Sequence, residues 1–290
     1  MDDSNLTEIQ KAMFADTFNF LVKRNEQAIN RAYYFQEDFI YGPYCEFLFS
    51  LSRSLKLRVE TSFLAIELFN NFMNTHLDEI MTDQVDNFED IFEQVEKQVS
   101  LRILSCLQLA TKAVEKERTV TAVDVRTILS KQGLKFHIGS ILRSELRVWK
   151  TIGYSVIIPT VADFIDFICT FLSKCKLHEN ENELSLKLKQ ISFQLLQLVF
   201  ICRPYFYKML YCSVTGKETI ASTDAQLFAR LTCDNLLLTV GVVCLSVFLF
   251  DSKLYPLVLQ KLNILTSFPK EDIAAVVENI EKLIYLDVPH

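Results

Sequence analysis

The chain has 290 residues, half of them hydrophobic, with only 6 glycines and 6 prolines. So few turn-forming residues favour long helices over many short strands, and the length allows one large or two medium domains. The net charge of −6 disfavours direct binding of nucleic acid or an anionic membrane through a basic surface, and we expect neither partner.

Chemistry-bearing motifs are scarce. The 8 cysteines are scattered without CxxC spacing, which favours buried reduced thiols, and the isolated histidines give no metal-ligand spacing. The chain has no glycine-rich phosphate loop, HExxH or GxSxG motif, so we expect neither an enzyme nor a cofactor. The acidic start, MDDSNLTEIQ, lacks the basic and apolar regions of a secretory signal.

The first predicted element is a long helix over residues 6–32, with apolar positions at helical spacing. Gly42-Pro43 interrupts the chain, and Pro43 suits the first turn of a helix that runs to about residue 55. Residues 59–74 are predicted to form the next helix. Residues 100–114 are apolar around most of a helical circumference, which indicates a central, buried helix.

An acidic segment, residues 77–96, separates those two helices. It holds eight aspartates and glutamates and no lysine or arginine. A run of like charges is typical of a solvated loop or an exposed helix. The alternative is a docking surface for a basic partner.

Two capping-box patterns mark helix starts further along the chain. Thr121 with Asp124 predicts a short helix that ends near residue 133, and Thr160 with Asp163 predicts a helix over residues 161–177.

Between them, residues 141–152 are predicted to form a helix that ends at Gly153. Its apolar side chains fall within one arc of about 160° at 100° per residue, and Glu145 lies near the middle of that arc. A lone carboxylate in an apolar setting is costly, so Glu145 needs a partner. The apolar set is Ile141, Leu142, Leu146, Val148, Trp149 and Ile152.

The second half repeats the pattern of the first. The run over residues 236–250 is shorter than the roughly 20 residues that span a bilayer, so we predict a helix buried on all sides. About five helices in each half, each half with one such helix, predict an all-α fold of two consecutive five-helix bundles after an N-terminal helix. The predicted helices of this half cover residues 161–177, 184–202, 206–214, 225–250 and 269–286.

Three motifs follow each other within the first bundle. Residues 56–73, KLRVETSFLAIELFNNFM, precede ILSCLQLATK at 103–112 and the stretch LRSELRVWKTIGYSVIIPTVADFI at 142–165. In this order they resemble the second, third and fifth helices of a cyclin box. The resemblance implies the cyclin fold in both bundles, with a helical segment over 1–36, a first cyclin box over 37–160 that carries the insertion 77–96, and a divergent second one over 161–290.

Most of the chain is similar to the meiotic, crossover-associated branch of the cyclin family. This resemblance implies a nuclear regulatory protein at meiotic chromosomes that promotes crossover formation. The segments that carry the similarity are residues 25–32, 100–112, 142–160, 236–250 and 259–280.

The cyclin resemblance implies a partner for Glu145. In cyclins, the lysine that ends the third helix and a glutamate of the fifth helix pair on the kinase-binding face, and Lys112 and Glu145 match those positions. Binding of a cyclin-dependent kinase is therefore expected, with other recombination proteins as further partners. The alternative is that the pair only holds two helices together.

Departures from the cyclin pattern leave other functions open. A charged pair of cyclins falls on Tyr41 and Asn70, which are both neutral. The implied substrate-docking patch keeps apolar residues at Ile40, Tyr44 and Phe47, but of its two acidic positions only Glu46 remains, since the other is Ser50. A cyclin-fold scaffold that recruits recombination or replication factors without a kinase is the alternative function.

A third interpretation is nucleic-acid binding through Arg143, Arg147 and Lys150, which share one face of the predicted helix. Three charges on an amphipathic helix are more typical of its solvated side.

Overall fold

The structure is a computed structural model that describes residues 8–31, 39–82, 88–175, 177 and 180–285, without the side chains of 9, 31, 80–82 and 88–97. The described residues form thirteen α-helices, one short 3-10 turn and no strand. The predicted all-α fold class is thereby confirmed.

The chain divides into two compact units, residues 37–158 (the first unit) and residues 1–36 with 159–290 (the second unit). The N-terminal helix α1, Glu8–Arg31, therefore belongs to the same unit as the C-terminal half of the chain. The second unit is discontinuous in sequence.

The first unit is built around α4. This helix packs against α3, α5 and α6, while α3 also contacts α2 and α6. Residues 101–111 of α4 are all buried, which confirms the predicted central helix. The five helices are α2, Gly42–Ser54; α3, Val59–Thr82; α4, Phe88–Val114; α5, Ala122–Lys131; and α6, Ile138–Thr151.

Both predicted capping boxes are present. The Thr121 side chain accepts from the backbone N–H of Asp124, whose carboxylate accepts from the Thr121 N–H at 2.9 Å. These hydrogen bonds hold the pKa of Asp124 below its ordinary value. Thr160 and Asp163 form the same reciprocal pair before the seventh helix. Each box satisfies backbone donors that a helix start leaves without intrahelical partners.

Most of the acidic segment, residues 77–96, is helical. Helix α3 continues beyond residue 74 to Thr82, and α4 begins at Phe88. Asp78 and Glu79 are exposed on α3. Residues 83–87 and the side chains of 80–97 lie outside the described part, so the proposed acidic docking surface stays a prediction.

The second unit is built around α11. This helix packs against α7, α8, α12 and α13, and α1 contacts it as well. Eleven of the residues between Leu236 and Val247 are buried, as predicted, whereas Phe248 and Leu249 at the end of the predicted run are exposed. Besides α1, its helices are α7, Val161–Ser173; α8, Glu181–Ile201; α9, Arg203–Thr215; α10, Ala225–Cys233; α11, Asn235–Phe250; α12, Tyr255–Thr266; and α13, Lys270–Tyr285.

This unit differs from the predicted pattern, because seven described helices follow residue 160 where five were expected. One helix expected over residues 225–250 is divided at Asp234, where the axes of the two parts bend by 58°. The Asp234 carboxylate accepts from the Leu237 N–H at 2.9 Å and so caps the start of α11. Aspartate is a preferred N-cap residue, which explains the break.

Helix α1 is fixed to the second unit by an apolar and a polar contact. The rings of Phe14 and Phe18 stack on Phe167 of α7, with centroids 4.2 and 5.2 Å apart. The Asn25 amide donates to Asp234 at 2.9 Å and accepts from the Leu236 N–H at 3.1 Å. Asn25 therefore satisfies backbone and side-chain groups at the α10–α11 junction.

The carboxyl of Asp234 gives a pH-dependent prediction. Burial raises its pKa above the ordinary 3.8, although hydrogen bonds from Leu237 and Asn25 oppose the shift. Because the pKa of Asp234 is higher in the folded protein than in the unfolded chain, the ionised carboxylate lowers the stability. The free energy of unfolding therefore increases as the pH falls through the raised folded-state pKa toward 3.8.

We expect Asp234→Asn, whose amide oxygen can accept the same two hydrogen bonds, to raise the free energy of unfolding at pH 7. The gain should shrink on acidification toward pH 4. Urea unfolding of both proteins across this pH range measures it. A variant that is less stable than the parent chain at pH 7 would contradict the prediction.

One described helix, α8, meets the length and hydropathy expected of a membrane span, and α10 with α11 would do so only as a bent pair. Helix α8 packs against α7, α9, α11 and α13. The core helix of a helical bundle meets the same criteria.

Candidate functional site

The candidate site lies on α6 of the first unit and begins with Glu145. This carboxylate is only 8% exposed and accepts a hydrogen bond from the Lys112 ammonium. Lys112 lies in the last turn of α4, where a cation interacts favourably with the helix dipole. The lysine side chain is half exposed, so the pair reaches from the bundle to its surface.

A second polar contact joins α4 to α6 one residue before Glu145. The buried Ser144 hydroxyl accepts from the guanidinium of Arg102 at 2.8 Å and is 2.7 Å from Ser105 Oγ. Buried polar groups need such partners. Together with the Lys112–Glu145 pair, these bonds fix the rotation of α6 about its own axis.

That rotation exposes half of the predicted apolar arc. Ile141, Ser144 and Val148 face the bundle with Glu145, whereas Leu142, Leu146 and Trp149 are 51, 44 and 39% exposed. We call these three residues the apolar strip. Spaced at i, i+4 and i+7, they form one ridge along the helix beside Glu145. Clustered exposed apolar side chains mark sites of protein–protein contact.

The C-terminal end of α6 extends the apolar strip. Gly153 and Tyr154 both have a left-handed backbone, with φ of 64° and 62°. Such a conformation is unusual for a bulky residue. The Tyr154 ring lies edge-on to the Trp149 ring, with centroids 5.1 Å apart. The indole N–H of Trp149 donates to the Tyr154 carbonyl at 3.3 Å. The Trp149 ring is therefore held in place at the surface.

Tyr41 and Asn70 lie where the resemblance to cyclins implies a charged pair, and both make uncharged contacts. Asn70 accepts from the Phe39 N–H at 3.0 Å, which ties the chain entering α2 to α3. Tyr41 is exposed and its ring lies edge-on to Tyr44. Because both charges of the pair are absent, Tyr41 and Asn70 leave no unpaired charge at these two positions.

The implied substrate-docking residues differ in exposure. Ile40 is buried, while Tyr44 and Phe47 are half-buried, and Tyr44 also packs edge-on against Phe69. Glu46 and Ser50 are exposed. The docking role of Ile40, Tyr44 and Phe47 stays a prediction.

The described residues contain no group of three or more His, Cys, Asp or Glu side chains that could hold a metal ion. Burial raises the pKa of the Cys169 and Cys244 thiols to about 12, and thiols of this kind are unreactive. The site itself offers exposed apolar side chains and an ion pair between the buried Glu145 and the half-exposed Lys112.

An all-helical chain with a five-helix unit packed around a buried third helix, and a Lys–Glu pair on its surface, has the properties of a cyclin-like protein. The chain is 24% identical to Cyclin N-terminal domain-containing protein 1 of Mus musculus over 266 residues, which cover 88% of this chain and 78% of that protein.

The human protein of the same name is 24% identical over 271 residues, with 89 and 80% covered. No protein-family model matches the chain. The similarity to these two relatives extends over most of the chain and confirms the resemblance to a cyclin-like protein of that kind.

Proposed function

We propose that the chain is a cyclin-like regulatory subunit that binds a cyclin-dependent kinase through its first unit and promotes crossover formation in meiosis. Catalysis belongs to the kinase. A kinase is active when a glutamate of its regulatory helix pairs with the ATP-binding lysine. The role of the cyclin-like subunit is to hold that helix in the inward position.

The observation that carries this proposal is the Lys112–Glu145 pair beside the apolar strip. The strip supplies area that can be buried, and the half-exposed Lys112 keeps donors available beside a fixed Glu145. Aromatic and aliphatic anchors next to a positioned charge pair are typical of the energetic centre of an interface.

The meiotic role is supported by the resemblance of most of the chain to the crossover-associated branch of cyclins. The similarity to the two relatives likewise extends over both units. We accordingly place the protein in the nucleus, at meiotic chromosomes, with recombination proteins as further partners.

The pair is tested by Lys112→Ala and Glu145→Ala. Truncating one member of a charge pair in an interface leaves the other unpaired, so we expect kinase binding to weaken by about tenfold or more in each variant. Surface plasmon resonance with purified cyclin-dependent kinases measures the affinity, and circular dichroism checks that each variant is folded.

The charge-exchanged variant Lys112→Glu/Glu145→Lys separates kinase contact from helix bridging. It can restore an ion pair between α4 and α6 but presents reversed charges to a partner. If the pair contacts the kinase, binding stays weak in the exchanged variant although stability recovers. Full recovery of binding would assign the pair a purely internal role.

The neutral Asn70 favours a second candidate, a cyclin-fold scaffold that recruits recombination or replication factors. Its side chain bonds to the Phe39 backbone at a position where cyclins carry a charge. The kinase activity of the purified complex between this chain and a cyclin-dependent kinase decides between the regulatory subunit and the scaffold. A tight complex without any gain in phosphorylation would favour the scaffold.

A further inference from the structure

The second unit has a group of apolar side chains in solvent where α11 and α13 end and α12 begins. Four of them are between 41 and 79% exposed: Phe248, Leu249, Ile284 and Tyr285. The ring of Phe248 lies edge-on to that of the half-buried Tyr255, with centroids 5.7 Å apart. We call these five residues the apolar corner. Clustered exposed apolar side chains of this kind mark sites of protein–protein contact.

The three helices converge at Tyr255, the first residue of α12. Burial raises the pKa of its phenol, and the negative charges of Cys244, Glu278 and Glu281 add to the increase. Tyr255 therefore lies close to both α11 and the second half of α13. The last turn of α13, which carries Tyr285, follows directly on this point of contact.

The edge of the apolar corner on α13 is acidic. Glu278, Glu281 and Tyr285 are spaced i, i+3 and i+7, so they share one side of the helix. Among the described residues, no cation forms an ion pair with either glutamate. Lys282 follows Glu278 by one turn and is exposed, but it is not paired with it. Both carboxylates thus remain available to a partner.

We propose that the apolar corner binds a basic segment of a partner protein. Apolar side chains of that segment pack on the exposed rings, and its lysines or arginines lie against Glu278 and Glu281. This surface belongs to the second unit, so the inference goes beyond the proposed function and does not depend on a kinase.

The charge and the rings of the corner together favour this occupant. Lysine and arginine are attracted to the faces of aromatic rings, and their aliphatic stems cover apolar surface. Complementary charges at the edge of an interface raise the association rate and exclude partners of the wrong sign. An anionic membrane, the other common ligand of exposed aromatic side chains, is repelled by the two carboxylates.

The probe is a synthetic helical peptide with leucine at i, i+4 and i+7 and with lysine and arginine at the flanking positions. A matched peptide carries glutamate in place of each cation. Fluorescence anisotropy with the full chain should show that the basic peptide binds about tenfold more tightly, or better, than the acidic one. Its affinity should fall as salt is added.

Charge reversal locates the binding surface, because a net charge of −6 attracts a basic peptide to any part of the chain. Glu278→Lys with Glu281→Lys should weaken the basic peptide by about tenfold or more and strengthen the acidic one. The matched control reverses two exposed carboxylates elsewhere in the second unit, Glu26 and Glu218, and should have a much smaller effect.

Tyr285→Ser tests the apolar part at an exposed position. It should weaken the basic peptide while circular dichroism shows unchanged helix content. Equal loss in the two charge-reversed variants, or full binding by Tyr285→Ser, overturns the inference. A dimer of the parent chain in sedimentation that Tyr285→Ser dissociates would assign the corner to a second copy and overturn it as well. These measurements contain no kinase, so their failure leaves the proposed function standing.

Discussion

Replacing Gly241 with alanine is expected to destabilise the second unit by about 1–3 kcal/mol, because an added methyl group overpacks a well-filled core. A Cβ at this position would lie 2.2 Å from Val276 Cγ1 and 2.7 Å from Val276 Cβ. Gly241 is therefore what allows α11 and α13 to approach each other. The loss should exceed the gain in helix propensity that alanine brings.

Gly139 of α6 is the matched control. A Cβ there would meet only the end of the Arg143 side chain, at 3.5 Å, so Gly139→Ala should be neutral or stabilise by up to about 1 kcal/mol. Denaturant unfolding of the two variants measures both effects. If Gly241→Ala were as stable as the parent chain, the close packing of α11 and α13 would be refuted.

Replacing Leu146 with glutamate is expected to weaken kinase binding strongly while leaving the fold intact. Leu146 lies in the middle of the apolar strip, and glutamate is a good helix former that tolerates solvent. Loss of a central apolar anchor from an interface costs about 2–4 kcal/mol of binding free energy. Isothermal titration with a purified kinase and thermal unfolding of the isolated chain measure the two quantities.

Val123→Glu on α5 controls for surface hydrophobicity in general. Val123 is 52% exposed and belongs to the same unit but not to the apolar strip. Its replacement should leave binding unchanged. Equal effects of the two substitutions would show that the apolar strip has no special role.

Local signals in the sequence predicted most helix starts. Pro43 and the capping boxes at Thr121 and Thr160 mark the starts of α2, α5 and α7, because each supplies a specific backbone or hydrogen-bond property. The break at Asp234 was missed, although an aspartate before an apolar run is itself an N-cap signal. Because the residues before and after Asp234 are largely apolar, the sequence pattern predicts one continuous helix there.

The candidate site was predictable only in part. The sequence predicts that Glu145 needs a partner, and the cyclin resemblance supplies Lys112. It does not predict that Leu142, Leu146 and Trp149 face solvent, because a helical wheel treats every apolar residue as a core residue. The rotation of α6 is set by hydrogen bonds such as Arg102–Ser144, which depend on tertiary structure.

The discontinuity of the second unit constrains how the protein is synthesised. Helix α1 is synthesised before the first unit, yet Asn25 bonds to Asp234, 209 residues later in the chain. The apolar face of α1 therefore has no packing partner while the whole first unit is translated and folds, as domains do during synthesis. Fragments of the first unit that begin at the N-terminus would carry Phe14 and Phe18 without their partner Phe167, so a soluble fragment should start after α1.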